Sequence, residues 1–393
     1  MIRVAWLDVD ARFVNPTRSL LPAALAMGCD VSFFGPGHVT SERLARGLAA
    51  FLDETGPYDV VAANSHVVHA DIVDPPPDER AFRRHYAFRF PGADLARLPE
   101  IARALGSVSL PRVGVFLESD YYNWSAAEID RVDARLDAVV GFAPPFWGPR
   151  SAMPHLADES FASRATDAWS DWVARNAHRA VPMLPMIDAR ELAFAPLAQR
   201  TTDWTILGIG YAARAEAARR LSQAGLSPVP STRLRRALGA LKRFGVLRGE
   251  TDLAIDLLNR DFYRRLAASR YSYTCGSGLG MPIRKFFEIP AAGAVLVCRP
   301  FFGFAEAGFA DGVNAIVCEP QDVLDAHRQL EADPQRAQEI ADAGRRLVAR
   351  RHSVAARAGQ LRAILERAAQ RRPLRSAWRD GELRLGVDEG ALP

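Results

Sequence analysis

Gly276-Ser-Gly-Leu-Gly-Met-Pro-Ile-Arg-Lys-Phe-Phe-Glu-Ile-Pro-Ala-Ala-Gly293, running straight into Ala294-Val-Leu-Val-Cys298, is the stretch on which the reading of this chain turns. A glycine-rich turn with Gly278 and Gly280 leads to a helix start. Pro282 suits the first helical position, where its missing N–H is not needed. Arg284, Lys285 and Glu288 follow within two turns, and then a buried-looking strand. A helix N-terminus carries partial positive charge and unpaired N–H groups, so it seats a phosphate. Arg284 and Lys285 add full charges there, and Glu288, one turn on, can accept from two neighbouring hydroxyls. Diphosphate plus vicinal diol describes the nucleotide half of a sugar nucleotide. The plainer alternative is a loop followed by a surface ion pair, Arg284 with Glu288, worth about 0.3–0.5 kcal/mol.

From about Tyr263 to Leu365 the chain resembles the C-terminal domain of GT-B glycosyltransferases, the group 1 type and in particular the CgeB-like branch. That branch shows Arg, one residue, Phe-Glu, a small-residue run and Gly before a strand. Here the run is Arg284-Lys-Phe-Phe-Glu288-Ile-Pro-Ala-Ala-Gly293, with one extra residue. Glu306-Ala-Gly-Phe309, Asn314-Ala-Ile-Val-Cys318, Ala343-Gly-Arg345 and His352-Ser353 extend the match, while the first half matches only in layout. The resemblance implies an α/β fold of the GT-B type, with two Rossmann-like domains facing each other across a cleft. It implies a donor nucleotide sugar, UDP- or GDP-linked, on the second domain. The acceptor, a saccharide, lipid-linked or small molecule, would sit on the first. Transfer would be retaining, with no cofactor and no metal. Arg284 and Lys285, with Arg214, would stabilise the departing diphosphate, and Glu288 would hold the ribose.

The 393 residues suit two domains, which we place at 1–187 and 204–372, with a linker at 188–203 and a tail at 373–393. Hydrophobic residues make up 49% and charged residues 24%, a globular balance. The net charge of +4 is spread among acids, so no nucleic-acid stripe is expected. Cys29, Cys275, Cys298 and Cys318 show no paired spacing. That favours a reducing, cytoplasmic setting. Met1-Ile-Arg-Val-Ala-Trp6 opens directly into a strand, without the regions of a secretory signal.

Strand-like runs at 2–9, 31–34, 58–63, 112–117 and 136–141 alternate with helical ones. Later runs lie at 204–207, 272–275, 294–298 and 315–318. The alternation predicts parallel sheets covered on both faces. Two long excursions, 64–111 and 143–179, interrupt the first half. Near the end, Asp333 and Ser353 are expected to cap two helices. In GT-B proteins the last helix often crosses back onto the first domain. The tail after Pro373 either does likewise or is loose.

Gly208-Ile-Gly210-Tyr-Ala-Ala213 fits the dinucleotide fingerprint superficially, but no acid stands about 20 residues on to hold a ribose. That disfavours a nucleotide-dependent oxidoreductase. In GT-B enzymes such a turn lets donor phosphates approach the backbone, with Arg214 in reach; the alternative is a tight turn beside a solvated arginine. His66 and His69 stand at the end of the third strand, where open sheets bind ligands. His66 is a candidate catalytic residue against a purely structural alternative, and the pair lacks the surroundings of a metal site. In Glu118-Ser-Asp120-Tyr-Tyr-Asn-Trp124, Asp120 is a candidate general base and Glu118 an acceptor holder, while Tyr121, Tyr122 and Trp124 are placed to stack on a sugar. The alternative is a polar loop over packed aromatics. The basic segment 233–248 is read as a surface helix, with contact to an anionic membrane face as the alternative. Besides the oxidoreductase, a non-catalytic GT-B-like binding protein remains as a rival reading.

Overall fold

The computed structural model of the chain describes residues 1–12, 16–71, 89–117, 121, 124–153, 166–208, 210–226, 228–230, 237 and 252–387. Six parallel strands form the first sheet: β1 (Arg3–Leu7), β2 (Asp30–Phe34), β3 (Val60–Asn64), β4 (Arg112–Phe116), β5 (Ala138–Gly141) and β6 (Ala180–Pro182). Their order is β2-β1-β3-β4-β5-β6. Val4 pairs with Val31 on one side and Val60 on the other. Val4, Ala5, Trp6 and Leu7 are all buried, because both faces of a parallel sheet are covered. The short β6, ending in a proline, was not expected as a strand.

The second sheet holds β7 (Thr202–Ile206), β8 (Val229–Pro230), β9 (Ser269–Thr274), β10 (Val295–Cys298) and β11 (Ile316–Val317). Its order is β11-β10-β9-β7-β8. Read from β8, this repeats the first five strands of the first sheet. In each sheet the order of strand addition therefore reverses between the first and third strands. A crevice opens there beyond the strand C-termini, which in the second sheet means beside Leu207-Gly208 and Thr274-Cys275.

Among the described residues, the helices of the first unit are α1 (Pro16–Gly28), α2 (Ser41–Ala45), α3 (Gly47–Thr55), α4 (Ser65–Val68), α5 (Gly92–Leu95), α6 (Leu98–Gly106), α7 (Ala126–Asp133) and α8 (Ala168–Arg175). Those of the second are α9 (Ala212–Gln223), α10 (Asp252–Ala267), α11 (Lys285–Ala291), α12 (Val323–Ala332), α13 (Pro334–Arg351) and α14 (Val354–Ala369). The caps expected of the last two are present: Asp333 accepts from Arg336 N and Ser353 from Ala356 N.

α14 lies on α1 of the first unit. The approach needs a glycine, since a Cβ on Gly28 would sit 2.6 Å from the Ala358 carbonyl oxygen. The chain passes between the units once at 183–187 and again at 352–354, and the two passages hydrogen-bond each other. Ile187 N donates to His352 O and Val354 N to Ile187 O, each at 2.9 Å. The fully buried Arg357 ties the crossing together. Its Nε donates to Leu184 O at 3.0 Å and its Nη2 to Pro185 O at 3.2 Å and to His352 Nδ1 at 2.7 Å. Burial lowers its pKa to about 9, so it stays charged at neutral pH. The stretch after Pro373 docks as an antiparallel hairpin, β12 (Ser376–Arg379) with β13 (Glu382–Leu385). Trp378 is buried over the Arg357 guanidinium and donates to Pro182 O at 2.8 Å. A single apolar cluster accordingly runs through both units, from Val4, Leu21 and Val60 through Met183 to Phe287, Leu361 and Trp378. Each large side chain sealed this way contributes about 1.5–3 kcal/mol.

Candidate active site

α11 starts at Lys285, with Arg284 at its N-cap and no side-chain cap of its own. Pro282 does not occupy the first helical position as expected. It belongs to the loop before the helix, where Met281 N donates to Gly276 O at 2.7 Å and closes the turn. That turn is tight: a Cβ on Gly276 would lie 2.8 Å from the Gly280 carbonyl carbon, and Gly280 takes a φ of +65°. Gly278 is buried within it. The cations therefore stand at the very start of the helix.

Arg284 and Glu288 are not a surface pair. Their side chains are 11% and 4% exposed. Arg284 Nη1 donates to Glu288 Oε1, and its Nε donates to Met186 O at 3.2 Å. Its Nη2 donates to both carboxylate oxygens of Glu191, a residue of the crossing segment that sequence reading did not single out. Tyr263 of α10 donates its hydroxyl to Glu191 Oε1. The only local signal at Glu191 is its spacing from Asp188, a capping box that accounts for the residue without any distant partner. Lys285 Nζ donates to Glu288 Oε2 at 2.8 Å and lies 4.0 Å above the Phe262 ring. Burial pushes the Glu288 carboxyl up, but the charges of Lys285 and Arg284 outweigh it and the net shift is downward. Burial lowers Lys285, against the pull of Glu288. Arg284 is raised overall, its two carboxylates outweighing burial.

The other wall comes from the β7–α9 turn. Gly208 has a φ of +102°, and a Cβ there would stand 3.1 Å from Lys285 Cε and 3.2 Å from Arg214 Nη1. Arg214 is buried rather than solvated, and donates to Thr274 Oγ1 at 2.8 Å at the end of β9. α9 follows with Tyr211 at its N-cap, no side-chain cap and no acid in its first turn. Gly208, Arg214, Lys285 and Glu288 thus converge where the second sheet reverses. Gly210 is exposed beside them, with open space where a Cβ would be.

On the first unit, Asn64 ends β3 and caps α4, accepting from His66 N at 3.2 Å and from Arg18 Nη1 at 2.9 Å. His66 and His69 are buried, their rings 5.8 Å apart. The expectation that Tyr121 and Trp124 stack on an acceptor sugar is corrected: Tyr121 is fully buried, its hydroxyl donating to Phe116 O at 3.2 Å, and Trp124 is buried too. It is 1% exposed, and its ring meets His69 edge-on at 5.2 Å and Phe116 at 6.3 Å, so neither face is open. Glu118, Asp120 and Tyr122 lie outside the described residues, as does the basic segment 233–248 apart from Ala237. Between the units a cavity of about 440 Å³ is lined by Ser19 and Leu20 of α1, by Asp188 and Glu191, and by Asn259 and Tyr263 of α10. Among the described residues, no group of three or more His, Cys, Asp or Glu side chains is placed to hold a metal ion. No described helix is long and apolar enough to cross a membrane.

Residues 247–363 match the glycosyl transferase-like family. No curated protein matches the chain. Among solved structures, a glycosyltransferase from Rickettsia africae ESF-5 is similar at 10% identity and a TM-score of 0.50, covering 93% of this chain and 98% of its own. Anabaena Alr3699/HepE in complex with UDP and glucose aligns at 13% identity and a TM-score of 0.49, covering 93% of this chain and 100% of its own. Sucrose-phosphate synthase from Thermosynechococcus elongatus aligns at 13% and 0.49, covering 93% and 99%. The fold is that of the GT-B enzymes, two Rossmann-like domains facing each other across a cleft.

Proposed function

We propose that this chain is a glycosyltransferase that binds a UDP- or GDP-linked sugar on its second domain and passes the sugar to an acceptor hydroxyl on the first. One observation carries the reading: the open turn at Gly208, the cations Arg214 and Lys285, and the carboxylate Glu288 meet at the reversal point of the second sheet. The glycine lets phosphate oxygens reach the backbone, the uncapped start of α9 offers N–H groups, and the two cations supply charge. Glu288 is held ionised to accept from a ribose diol.

In the reaction the bond from the anomeric carbon to the diphosphate oxygen breaks, leaving its electron pair on the diphosphate, while the acceptor oxygen bonds to that carbon and passes its proton to the candidate base Asp120. Charge grows on the diphosphate, where Lys285 and Arg214 stabilise it. The sequence-based role for Arg284 changes. Its guanidinium is already shared between Glu191 and Glu288, so we assign it to orienting Glu288 rather than to meeting the phosphates. His66, with Asp120 and Glu118, remains proposed for the acceptor side. We further read the enzyme as retaining, metal-independent and CgeB-like, on the match from Arg284 to Gly293.

Titration calorimetry with UDP, GDP and their nucleosides tests the site. Lys285→Met is expected to weaken the diphosphate far more than the nucleoside, and EDTA to leave donor turnover intact. A protein that binds neither diphosphate is not this enzyme. One that binds but never cleaves any donor is a GT-B-like binding protein instead.

A further inference from the structure

The crossing segment between the domains contributes one side chain to the donor half of the molecule. Glu191 closes a single 3₁₀ turn, Ala189–Glu191, in which its Oε2 accepts from Asp188 N at 3.0 Å. Its side chain is 4% exposed. Both its oxygens accept from Arg284 Nη2, and Oε1 also accepts the Tyr263 hydroxyl. Every nitrogen of the Arg284 guanidinium is then committed: Nη2 to Glu191, Nη1 to Glu288, and Nε to Met186 O. A planar fork held at three points cannot turn about its own axis. The direction in which Nη1 meets Glu288 is therefore set from Glu191, a residue 93 positions away in sequence.

An ion pair that only secured α11 would be complete with Glu288, one turn along the same helix. The second carboxylate comes from outside that domain's sheet and helices. It also lines the cavity between the domains, together with Tyr263.

We propose that Glu191 is a positioning residue: it fixes Arg284 so that Glu288 presents its carboxylate to the ribose of the donor. This rests on the donor-site reading above. Tyr263 completes the arrangement as a hydroxyl donor. Burial raises its pKa, so the hydroxyl keeps its proton throughout the working range.

Glu191→Gln keeps the shape and replaces one acceptor oxygen with an NH₂ that faces the guanidinium. Uridine and UDP (or guanosine and GDP, whichever pair the unsubstituted protein binds) should both weaken by the same factor, because the ribose contact is what is lost. Donor turnover should fall roughly 10- to 100-fold, the cost of a misplaced contact. Glu191→Asp keeps the charge and should recover part of that loss. Tyr263→Phe should move both readings the same way by a smaller factor.

A role in stability alone would lower the melting temperature of Glu191→Gln while leaving both affinities, kcat and KM at their original values. That result overturns the assignment. If Glu191→Gln does not fold, Tyr263→Phe decides, since it removes only a hydroxyl. Unchanged binding and turnover in that variant overturn the assignment as well. If the unsubstituted protein binds neither UDP nor GDP, the donor-site reading itself falls and takes this assignment with it.

Discussion

At Gly208 the backbone sits at a φ of +102°, where a side chain is strained, and the space a Cβ would take lies between Lys285 and Arg214. Gly208→Ala should therefore act twice. We expect a loss of about 1–2 kcal/mol of stability from the backbone conformation. We also expect a weakening of the nucleoside diphosphate that its free nucleoside does not share, because the methyl stands where phosphate oxygens approach. Equal weakening of both ligands in calorimetry would place the phosphates elsewhere. Sequence reading brought out the turn and Arg214 but left open whether that arginine is solvated. Burial against Thr274 decided it, and Thr274 is 60 residues further along the chain.

Among the elements, α11 and the crossing segment show how a buried charge differs from a surface one. A spacing of four along a helix suggests a pair worth a few tenths of a kcal/mol. Arg284 instead separates two carboxylates inside the protein. Arg284→Ala leaves Glu191 and Glu288 without their shared cation, and should cost about 3–5 kcal/mol of stability. Urea unfolding measures this, and a change below 1 kcal/mol would mean that water screens the cluster.

His352 gives the same crossing a pH dependence. Its Nε2 and the Ala307 carbonyl oxygen lie 2.8 Å apart, and Nδ1 accepts from Arg357. Burial, and then the Arg357 charge, hold its pKa well below the ordinary 6.5. Above that value the ring is neutral whether the chain is folded or not. Below it, only the unfolded chain takes up the proton, so stability falls as pH drops. We expect unfolding midpoints to decline from about pH 6.5 downward. His352→Asn should be less stable at neutral pH but decline less steeply between pH 6.5 and 5; an unaltered slope would mean other groups carry the effect.

Over the whole molecule, the sheets were the legible part. Parallel strands buried on both faces read as continuous apolar runs, and runs such as Arg112–Phe116 announce themselves. β6 did not, because three residues ending in proline make no pattern. The helix Asp252–Ala267 was missed as well: its sequence, Asp-Leu-Ala-Ile-Asp-Leu-Leu-Asn-Arg-Asp-Phe-Tyr-Arg-Arg-Leu-Ala, mixes seven charged or amide residues with nine apolar or aromatic ones. For the candidate site, the local motif Arg284 to Glu288 was visible, while Glu191 and Tyr263 were not. Long-range partners leave no periodicity, and only the folded chain brings them together. The packing of Trp124 failed for the opposite reason, since an aromatic after a strand looks the same whether it faces a ligand or the core. Trp378 tests how firmly the two domains are joined. Its loss removes a buried ring from the shared core and leaves Pro182 O without its donor. Trp378→Ala should cost about 3–5 kcal/mol. A single cooperative urea transition before and after the substitution would show that the domains unfold together.

The docking of α14 on α1 also bears on how this protein is made. The first sheet leaves the ribosome complete at Pro182, yet the helix and hairpin that cover part of it are encoded from Val354 to Leu385. At about 5–20 residues per second, a nascent first domain waits roughly 10–40 s with apolar α1 surface uncovered. During that interval it is a client for chaperones. A premature stop codon near the end of the message would then injure the part of the protein translated first.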